Sequence, residues 1–271
     1  MIVCRSAAEI ERMRAANQLV ADVLAELEAA VAPGVTTADL DRLAERLVRE
    51  AGAVPAFKGY RGYPATLCIS LNEEVVHGIP SPDRVLKDGD IVSLDIGAKL
   101  NGFFGDSAVT VPVGDVPEPT KRLLQVTRES LERAIEQAQA GGRLSDISHA
   151  VQTWVEAHGF SIVREFVGHG IGEKLHEDPQ IPNYGTPGRG AKLAPGMVLA
   201  IEPMVAMGRP ETKVLADGWT AVTRDGSLAA HFEHTVAVAA GGPVILTARE
   251  GAVAPASARL RKVAARWRRG R

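Results

Sequence analysis

The sequence predicts one α+β domain over residues 1–247, followed by a basic tail over residues 248–271. Two observations carry this prediction. Blocks with helical spacing of apolar residues alternate with strand-like blocks, and the order helix, helix, strands occurs twice. A shift of 107 residues brings the two halves into register without a gap. Duplicated halves that join their strands into one sheet covered by the four helices would bury the apolar faces and leave a crevice where the halves meet.

Two helices are predicted at the start of the chain. Apolar residues recur at three, four and seven over residues 6–28, and Ser6 and Glu9 have the spacing of a capping box. A second helix follows with Thr37 as the predicted N-cap, and Gly52 ends it.

The same order then repeats after a strand-rich segment. Residues 65–113 combine apolar or alternating runs with Gly, Pro and Asn, which predicts strands and turns. Helical spacing returns over 120–140 and 145–158, and strand texture returns over 160–238. Few residues are identical between the halves, so a chance likeness of two helical hairpins stays open.

Composition limits the class of protein. The 33 acidic and 31 basic side chains nearly balance, which argues against a whole-domain nucleic-acid binder. Cys4 and Cys68 match no metal or redox spacing, as in proteins of a reducing compartment. No apolar run approaches the ~18 residues of a spanning helix, and the first residues lack the apolar stretch of a signal peptide. We therefore expect a cytoplasmic protein.

Asp95 and Asp106 lie on strand-like runs that flank residues 99–102. If these four residues form the loop, the two aspartates lie directly opposite each other, with Cβ atoms ~4.5–5.5 Å apart. Two carboxylates at that distance repel, so a shared proton or a cation is needed to hold them. For either aspartate alone, an outward-facing solvated position is an equal alternative.

Three more residues have the chemistry of metal ligands. His169 lies between Gly168 and Gly170, while Glu202 and Glu233 each interrupt an apolar strand-like run. Taken singly, these residues fit a structural histidine in a glycine-rich turn and two edge strands. Together with the two aspartates they suit a pair of divalent ions, because oxygen ligands suit Mn and one nitrogen widens the choice to Fe, Co or Zn. Four carboxylates would also balance the charge of two such ions.

His77 is the last single residue with a candidate role. It ends a strand-like run and precedes Gly and Pro, which places it at a loop mouth. An exposed loop histidine and a contact to substrate are equally compatible with that position.

Five segments together resemble a known family. They are GYRGYPATLCISLNEEVVHGIP, SLDIGAKLNGFFGDSAVT, EFVGHGIGEKLHEDP, KLAPGMVLAIEPM and HFEHTV. In this order they closely resemble the type I methionine aminopeptidases, which are pita-bread metallopeptidases. The resemblance covers about residues 1–247. It implies the pseudo-twofold pita-bread fold and the hydrolytic removal of the initiator methionine from nascent chains.

The resemblance also implies roles for individual residues. By motif match, the ligands of two metal ions are Asp95, Asp106, His169, Glu202 and Glu233, with Asp106 and Glu233 bridging the ions. His77 and His176 match the two catalytic histidines that are not ligands, and Glu202 also acts as general base. The slot for the methionine side chain is lined by Tyr60, Tyr63, Cys68, Leu175 and Trp219; ordinary core residues are the alternative for these.

Three positions depart from the family's pattern. Leu175 stands where relatives often have an aromatic residue, His231 where we expect Gln, and Phe104 where some relatives have His. These departures bear on the shape of the side-chain pocket and not on the metal ligands.

Three other activities are considered. A prolidase or aminopeptidase P of the same fold would use the same ligands, but those relatives usually carry a long N-terminal domain. The type II methionine enzyme carries a helical insertion between the last two glutamates, whereas Glu202 and Glu233 are only 31 residues apart. A non-catalytic binding protein of this fold would have lost ligands, and all five are present. A monomer is expected.

The basic tail lies outside the resemblance. After Glu250 the chain has no acidic residue and carries seven Lys or Arg side chains. Leu260, Val263, Ala264 and Trp267 fall at helical spacing, which predicts a short amphipathic helix. A solvated tail without a partner, a membrane surface and ribosomal RNA are the alternatives, and the expected substrate favours RNA.

Overall fold

The computed structural model describes residues 1–249 and 255–270. Its helices are α1 (Ala7–Glu28), α2 (Thr37–Glu50), α3 (Glu118–Glu136), α4 (Leu144–Ala157) and α5 (Pro255–Arg269). Its strands are β1 (Val54–Pro55), β2 (Leu67–Leu71), β3 (Glu74–Val76), β4 (Ile91–Leu100), β5 (Phe103–Pro112), β6 (Ser161–Ile162), β7 (Gly168–Gly170), β8 (Glu177–Ile181), β9 (Val198–Ile201), β10 (Met204–Ala206), β11 (Thr212–Val214), β12 (Ala221–Thr223), β13 (Ala229–His231), β14 (His234–Ala239) and β15 (Gly242–Ile245).

The strands pair antiparallel in four sheets of the described chain rather than in one continuous sheet. In the first half, β4 pairs with β5 along its whole length and with β1 and β2 on its other edge. The second half contributes a five-stranded sheet in the order β15-β14-β9-β7-β8. The halves meet where β5 faces β14. There the Ser107 hydroxyl donates to Glu233 O (2.6 Å) and the Thr235 hydroxyl donates to Asp106 O (2.8 Å).

The repeat predicted from the sequence is present in the backbone. The 107-residue shift superimposes the bounds of α2 on those of α4, and the bounds of β1 on those of β6. Asp39 and Asp146 stand at the same place in the two helices, and each accepts the N-cap backbone N–H. Gly52 and Gly159 follow the two helices with φ of 78° each, a left-handed conformation that glycine adopts without a steric penalty. The duplication therefore extends to the capping of the helices.

Helix bounds follow the capping chemistry. The predicted capping box of Ser6 and Glu9 is confirmed at the start of α1. The predicted N-cap of α2 is wrong by one residue: Thr36 is the N-cap, because its hydroxyl accepts from the backbone N–H of Asp39 at 3.1 Å. Thr37 is the first helical residue, and its hydroxyl donates to Ser81 O instead.

The helices cover the first-half sheet closely. Met13, Val20 and Leu24 of α1 are almost fully buried. At Gly105 of β5 an added Cβ would lie 2.8 Å from the backbone carbon of Ala16, so only glycine lets α1 approach this strand. This contact holds the helix layer against the hairpin that carries Asp95 and Asp106.

The end of the described chain is helical. Helix α5 packs against α1 and α2. Its apolar side chains Leu260, Val263 and Ala264 are buried in the same cluster as the α1 and α2 core, and Trp267 packs at the edge of that cluster. The residues predicted to form one face of a helix therefore do so, and that face is occupied by the rest of the chain. The proposed domain boundary at residue 247 stays a prediction. Within residues 1–249 and 255–270, no helix combines the length and the apolar character needed to span a membrane.

Candidate metal centre

The β4–β5 hairpin places Asp95 and Asp106 on one face, but with a different register from the predicted one. The turn is Asn101-Gly102, both with positive φ (53° and 88°), because Asn-Gly fits the two-residue turn that matches strand twist. Gly97 is therefore opposite Asp106, and Ala108 is opposite Asp95. The prediction that the two aspartates lie directly opposite each other is wrong; they are diagonal neighbours, ~7–8 Å apart at Cα.

The second half supplies the two glutamates. Glu202 follows β9, and the 107-residue shift superimposes it on Asp95. Glu233 lies between β13 and β14, and its backbone N–H donates to Ala108 O at 2.9 Å. This bond and the two hydroxyl bonds at the β5–β14 seam hold the backbones of Asp106 and Glu233 side by side. Each half thus supplies two of the four carboxylates: the first half both aspartates and the second half both glutamates.

His169 enters the site from β7. Its neighbouring glycines leave no room for a side chain, since an added Cβ would lie 2.4 Å from Ala200 O at Gly168 and 2.1 Å from Asp178 O at Gly170. Nδ1–H of His169 donates to Gly170 O at 2.9 Å, which leaves the lone pair on Nε2. His169 Nε2 lies 3.9 Å from Asp106 Oδ2 and 3.5 Å from Glu202 Oε1. The free nitrogen therefore faces the carboxylates.

These side chains fit a bound cation. One ligand atom each from Asp106, His169 and Glu233 lies within 4.8 Å of the others, and all three residues are buried. Asp95 Oδ1, Asp106 Oδ1 and Glu233 Oε1 are buried without a hydrogen-bond partner in the described structure. Burial, followed by the charges of Glu233 and Asp95, raises the pKa of Asp106 well above its ordinary value. Buried carboxylate oxygens without protein partners require a cation or protons.

Without metal, the protein should lose stability as the pH rises. Burial raises the pKa of Asp95 from its ordinary 3.8 to about 7, so the folded chain holds a proton that the unfolded chain has already released. The unfolded state then binds fewer protons, and the free energy of unfolding falls between these two pH values. Urea unfolding in the presence of a chelator measures this decline. Asp95→Asn should make the decline shallower, and a metal-free protein that gains stability over this range would contradict the assignment.

The two predicted catalytic histidines lie beside the ligands. The ring centres of His176 and His169 are 4.2 Å apart, and His176 Nδ1 lies 2.9 Å from the Tyr60 hydroxyl oxygen. His77 has a φ of 62° and packs against the rings of Phe166 and Trp219. Burial, followed by the charge of His176, lowers the pKa of His77 to about 4, so this ring is neutral near pH 7.

One cavity of about 180 Å³ brings the predicted site together. All the proposed ligands, both histidines and the five residues of the methionine slot line it: Asp95, Asp106, His169, Glu202, Glu233, His77, His176, Tyr60, Tyr63, Cys68, Leu175 and Trp219. Cys68 is directly opposite Asp95 in the sheet, which joins the slot to the metal ligands. A wider cleft of about 820 Å³ shares His77, His169 and His176 and opens towards solvent.

Sequence reasoning missed two residues that line this cavity, Phe57 and Arg61, and Arg61 has a φ of 50°. Arg61 directly follows Tyr60 in the quoted motif, which was the available signal, whereas Phe57 precedes the motif. His231, which was left without a role, lines the wider cleft instead. His231 is 2% exposed, and its Nε2 is 3.6 Å from Glu202 Oε2. Phe104 does not line the cavity, and Lys99 Nζ lies 4.9 Å from the centre of its ring.

The duplicated antiparallel fold and this group of buried carboxylates with one imidazole define a metal-dependent hydrolase. Residues 11–240 match the model of metallopeptidase family M24. The chain belongs to that family.

Comparison with individual proteins agrees. The chain is 56% identical over 247 residues to methionine aminopeptidase 1 of Bacillus subtilis, covering 91% of this chain and 99% of that protein. It superimposes on the crystal structure of methionine aminopeptidase from Thermotoga maritima with a TM-score of 0.90 and 51% identity, covering 91% of this chain and 99% of that one. The resemblance drawn from the motifs and the predicted pita-bread fold are thereby confirmed.

A more distant structure shares only the fold. Prolidase from Pyrococcus furiosus superimposes with a TM-score of 0.75 at 23% identity, covering 92% of this chain and 66% of that one. The same architecture therefore serves a longer protein of a different name, and the fold by itself does not select a substrate.

Proposed function

We propose that the chain removes N-terminal methionine from peptides and nascent polypeptides by metal-dependent hydrolysis. The observation that carries the proposal is the cavity in which the candidate ligands and an apolar slot meet. The 56% identity to a methionine aminopeptidase over nearly the whole of both chains supports the same substrate.

The proposed cofactor is a pair of divalent ions among Co, Mn, Fe and Zn. Held by Asp95, Asp106, His169, Glu202 and Glu233, they would lower the pKa of the attacking water and polarise the scissile carbonyl. In this proposal Asp106 and Glu233 lie between the two positions, Asp95 completes one of them, and His169 with Glu202 completes the other. Glu202 also accepts the proton of the attacking water as general base.

His176 is proposed to stabilise the oxygen of the tetrahedral transition state. With the Tyr60 hydroxyl donating to Nδ1, the proton of the His176 ring is on Nε2. That N–H donates to the negative charge that develops on the carbonyl oxygen. His77, which is neutral and lines the same cavity, contacts the nitrogen of the scissile bond.

The apolar end of the cavity is proposed to hold the methionine side chain. Tyr63 and Trp219 pack edge to face with ring centres 5.1 Å apart, and Leu175 is 2% exposed beside them. A thioether is polarizable and makes favourable contacts with ring edges, so methionine suits this wall. The Tyr63 hydroxyl donates to Gly78 O at 2.8 Å, which keeps its polar end out of the slot.

Metal reconstitution tests the proposed function. Metal-free protein is loaded with Co, Mn, Fe or Zn in turn and assayed on Met-Ala-Ser and on a peptide beginning Ala-Pro. We expect release of methionine from the first peptide and no cleavage of the second. Cleavage of the Xaa-Pro peptide alone would assign a prolidase-type activity. No cleavage of either peptide by protein with bound metal would assign a binding role.

A ribosomal contact is proposed for helix α5. Its apolar face is buried, while Arg261, Lys262, Arg266 and Arg269 are exposed and Arg268 pairs with Glu26 at 3.2 Å. Arg271 and the side chain of Arg259 lie outside the described structure. Because nascent chains are made at the ribosome, the proposal places the protein in the cytoplasm. It also includes a monomer, since the residues of the candidate site all come from one chain.

Removing the charges of α5 should weaken ribosome binding without affecting hydrolysis. Arg261→Gln, Lys262→Gln and Arg266→Gln together keep the buried face of the helix and remove three phosphate contacts. We expect less co-sedimentation with ribosomes at low salt, and for the unchanged protein a steep loss as salt rises. The triple variant should hydrolyse peptides at an unchanged rate, since every candidate site residue precedes α5 and the buried face of the helix is kept. Equal sedimentation of the two proteins at low salt would remove the ribosomal role.

A further inference from the structure

His231 is the last residue of β13 and precedes Glu233 by two positions. It is directly opposite Met204 in the antiparallel β10–β13 pair, and Met204 follows Glu202 by two positions. This pairing brings the imidazole next to Glu202, with His231 Nε2 3.6 Å from Glu202 Oε2.

The backbone of His231 is fixed from the first half of the chain. Thr110 Oγ1 accepts the His231 N–H at 2.8 Å and donates to His231 O at 2.8 Å. The Thr110 hydroxyl also contacts the Ser93 hydroxyl at 2.8 Å. Because β5 holds both polar groups of this residue, the ring has a defined position relative to Glu202.

The ring nitrogen nearest the site has no partner in the described structure. His231 Nε2 is buried and unsatisfied, and its nearest carboxylate oxygen is Glu202 Oε2, at 3.6 Å. The other oxygen of Glu202, Oε1, lies 3.5 Å from His169 Nε2. Leaving a buried polar group without a partner is unfavourable, and a small rotation of either side chain brings these two atoms within hydrogen-bond distance.

We infer that His231 is a positioning residue that orients Glu202 by donating Nε2–H to its Oε2, so that Oε1 is presented to the metal. This rests on the proposed role of Glu202 as a ligand. Direct ligation by His231 is the other arrangement that this position allows, and the variants below distinguish the two. A hydrogen bond to the far oxygen of a ligating carboxylate fixes its orientation and strengthens metal binding.

Cobalt binding to the metal-free protein tests this role without relying on peptide hydrolysis. His231→Leu removes the N–H donor at similar size, and His231→Gln keeps a donor. The loss of an outer partner of a metal ligand costs about 10–100-fold in metal affinity, and we expect a loss of that size by calorimetry for His231→Leu. The visible absorption of bound Co(II) should also change. His231→Gln should recover most of the affinity and the original spectrum.

A second histidine, half-buried, gives the matched control. His234 is three residues further on, and its Nδ1 contacts the Thr247 hydroxyl at 2.8 Å. His234→Leu removes an imidazole outside the candidate cavity and should leave Co(II) affinity and spectrum unchanged. If His234→Leu lowers the affinity as much as His231→Leu, the effect comes from general disturbance of this part of the fold and the inference is wrong.

A double-mutant cycle with Glu202→Gln separates positioning from general destabilisation. If His231 acts through Glu202, adding His231→Leu to Glu202→Gln causes little further loss of affinity. Additive losses would overturn the inference. So would a His231→Gln protein as weak as His231→Leu, since that would identify the imidazole itself as a ligand. All of these readouts stay valid if the peptide substrate proves to be different from methionyl peptides.

Discussion

Asp106→Ala should lower peptide hydrolysis by orders of magnitude while leaving the metal-free protein folded and more stable than before. Asp106 is 4% exposed, and burial together with Glu233 and Asp95 raises its pKa. Removing it takes one carboxylate away from a group that repels itself when metal is absent. A gain of about 1 kcal/mol corresponds to a rise in Tm of ~2–4 °C for a chain of this size.

The measurements are metal content, turnover of Met-Ala-Ser at saturating Co or Mn, and thermal unfolding with a chelator. Asp115→Asn is the matched control, because Asp115 is exposed and pairs with Lys121 at 3.2 Å away from the cavity. It should leave all three quantities unchanged. Undiminished turnover by Asp106→Ala would contradict the ligand assignment, and a lower metal-free Tm would contradict the argument from repulsion.

His176→Ala should lower kcat by about 10²–10³ with little change in KM, the range seen when one oxyanion donor is removed. The reason is that its proposed hydrogen bond strengthens only as charge develops on the carbonyl oxygen. The His176 ring is tilted against the His169 ring with ring centres 4.2 Å apart, and His176 is not one of the five proposed ligands, so metal content should stay intact.

Tyr60→Phe separates the contribution of the Tyr60 hydroxyl from that of the His176 ring. It keeps the His176 ring and removes the hydroxyl at 2.9 Å that sets which nitrogen carries the proton. We expect a smaller loss of kcat than for His176→Ala. Loss of metal by His176→Ala would instead identify His176 as a ligand. A rise in KM with kcat unchanged would place it in ground-state binding.

The sequence was most informative where a polar residue departs from the local pattern around it, and where helices are defined by local spacing. Carboxylates within apolar runs at Glu202 and Glu233, and a histidine between two glycines, contradict the surrounding pattern unless they serve a site. The 107-residue repeat was also readable, because the helix spacing and the capping residues are local features.

The register of the paired strands and the positions of buried side chains were less predictable from the sequence. The hairpin turn was assigned four residues although Asn101-Gly102 is a strong two-residue turn signal, and this displaced Asp106 relative to Asp95 by two positions. The position of His231 depends on pairing between β10 and β13 and on the Thr110 hydroxyl from the other half. The strand pairing joins residues 27 positions apart (Met204 and His231), the Thr110 contact joins residues 121 positions apart, and no local pattern encodes either.

The superposition of Asp95 on Glu202 has an evolutionary consequence. A half-length ancestor pairing with its own copy would already have presented two equivalent carboxylates across a twofold axis. Such a dimer needed no covalent link to attract a cation, but it was obliged to be symmetric. Fusion of the two copies removed that obligation: the single imidazole of His169 could then arise in one half alone. An asymmetric site is what a peptide, which has two different ends, requires.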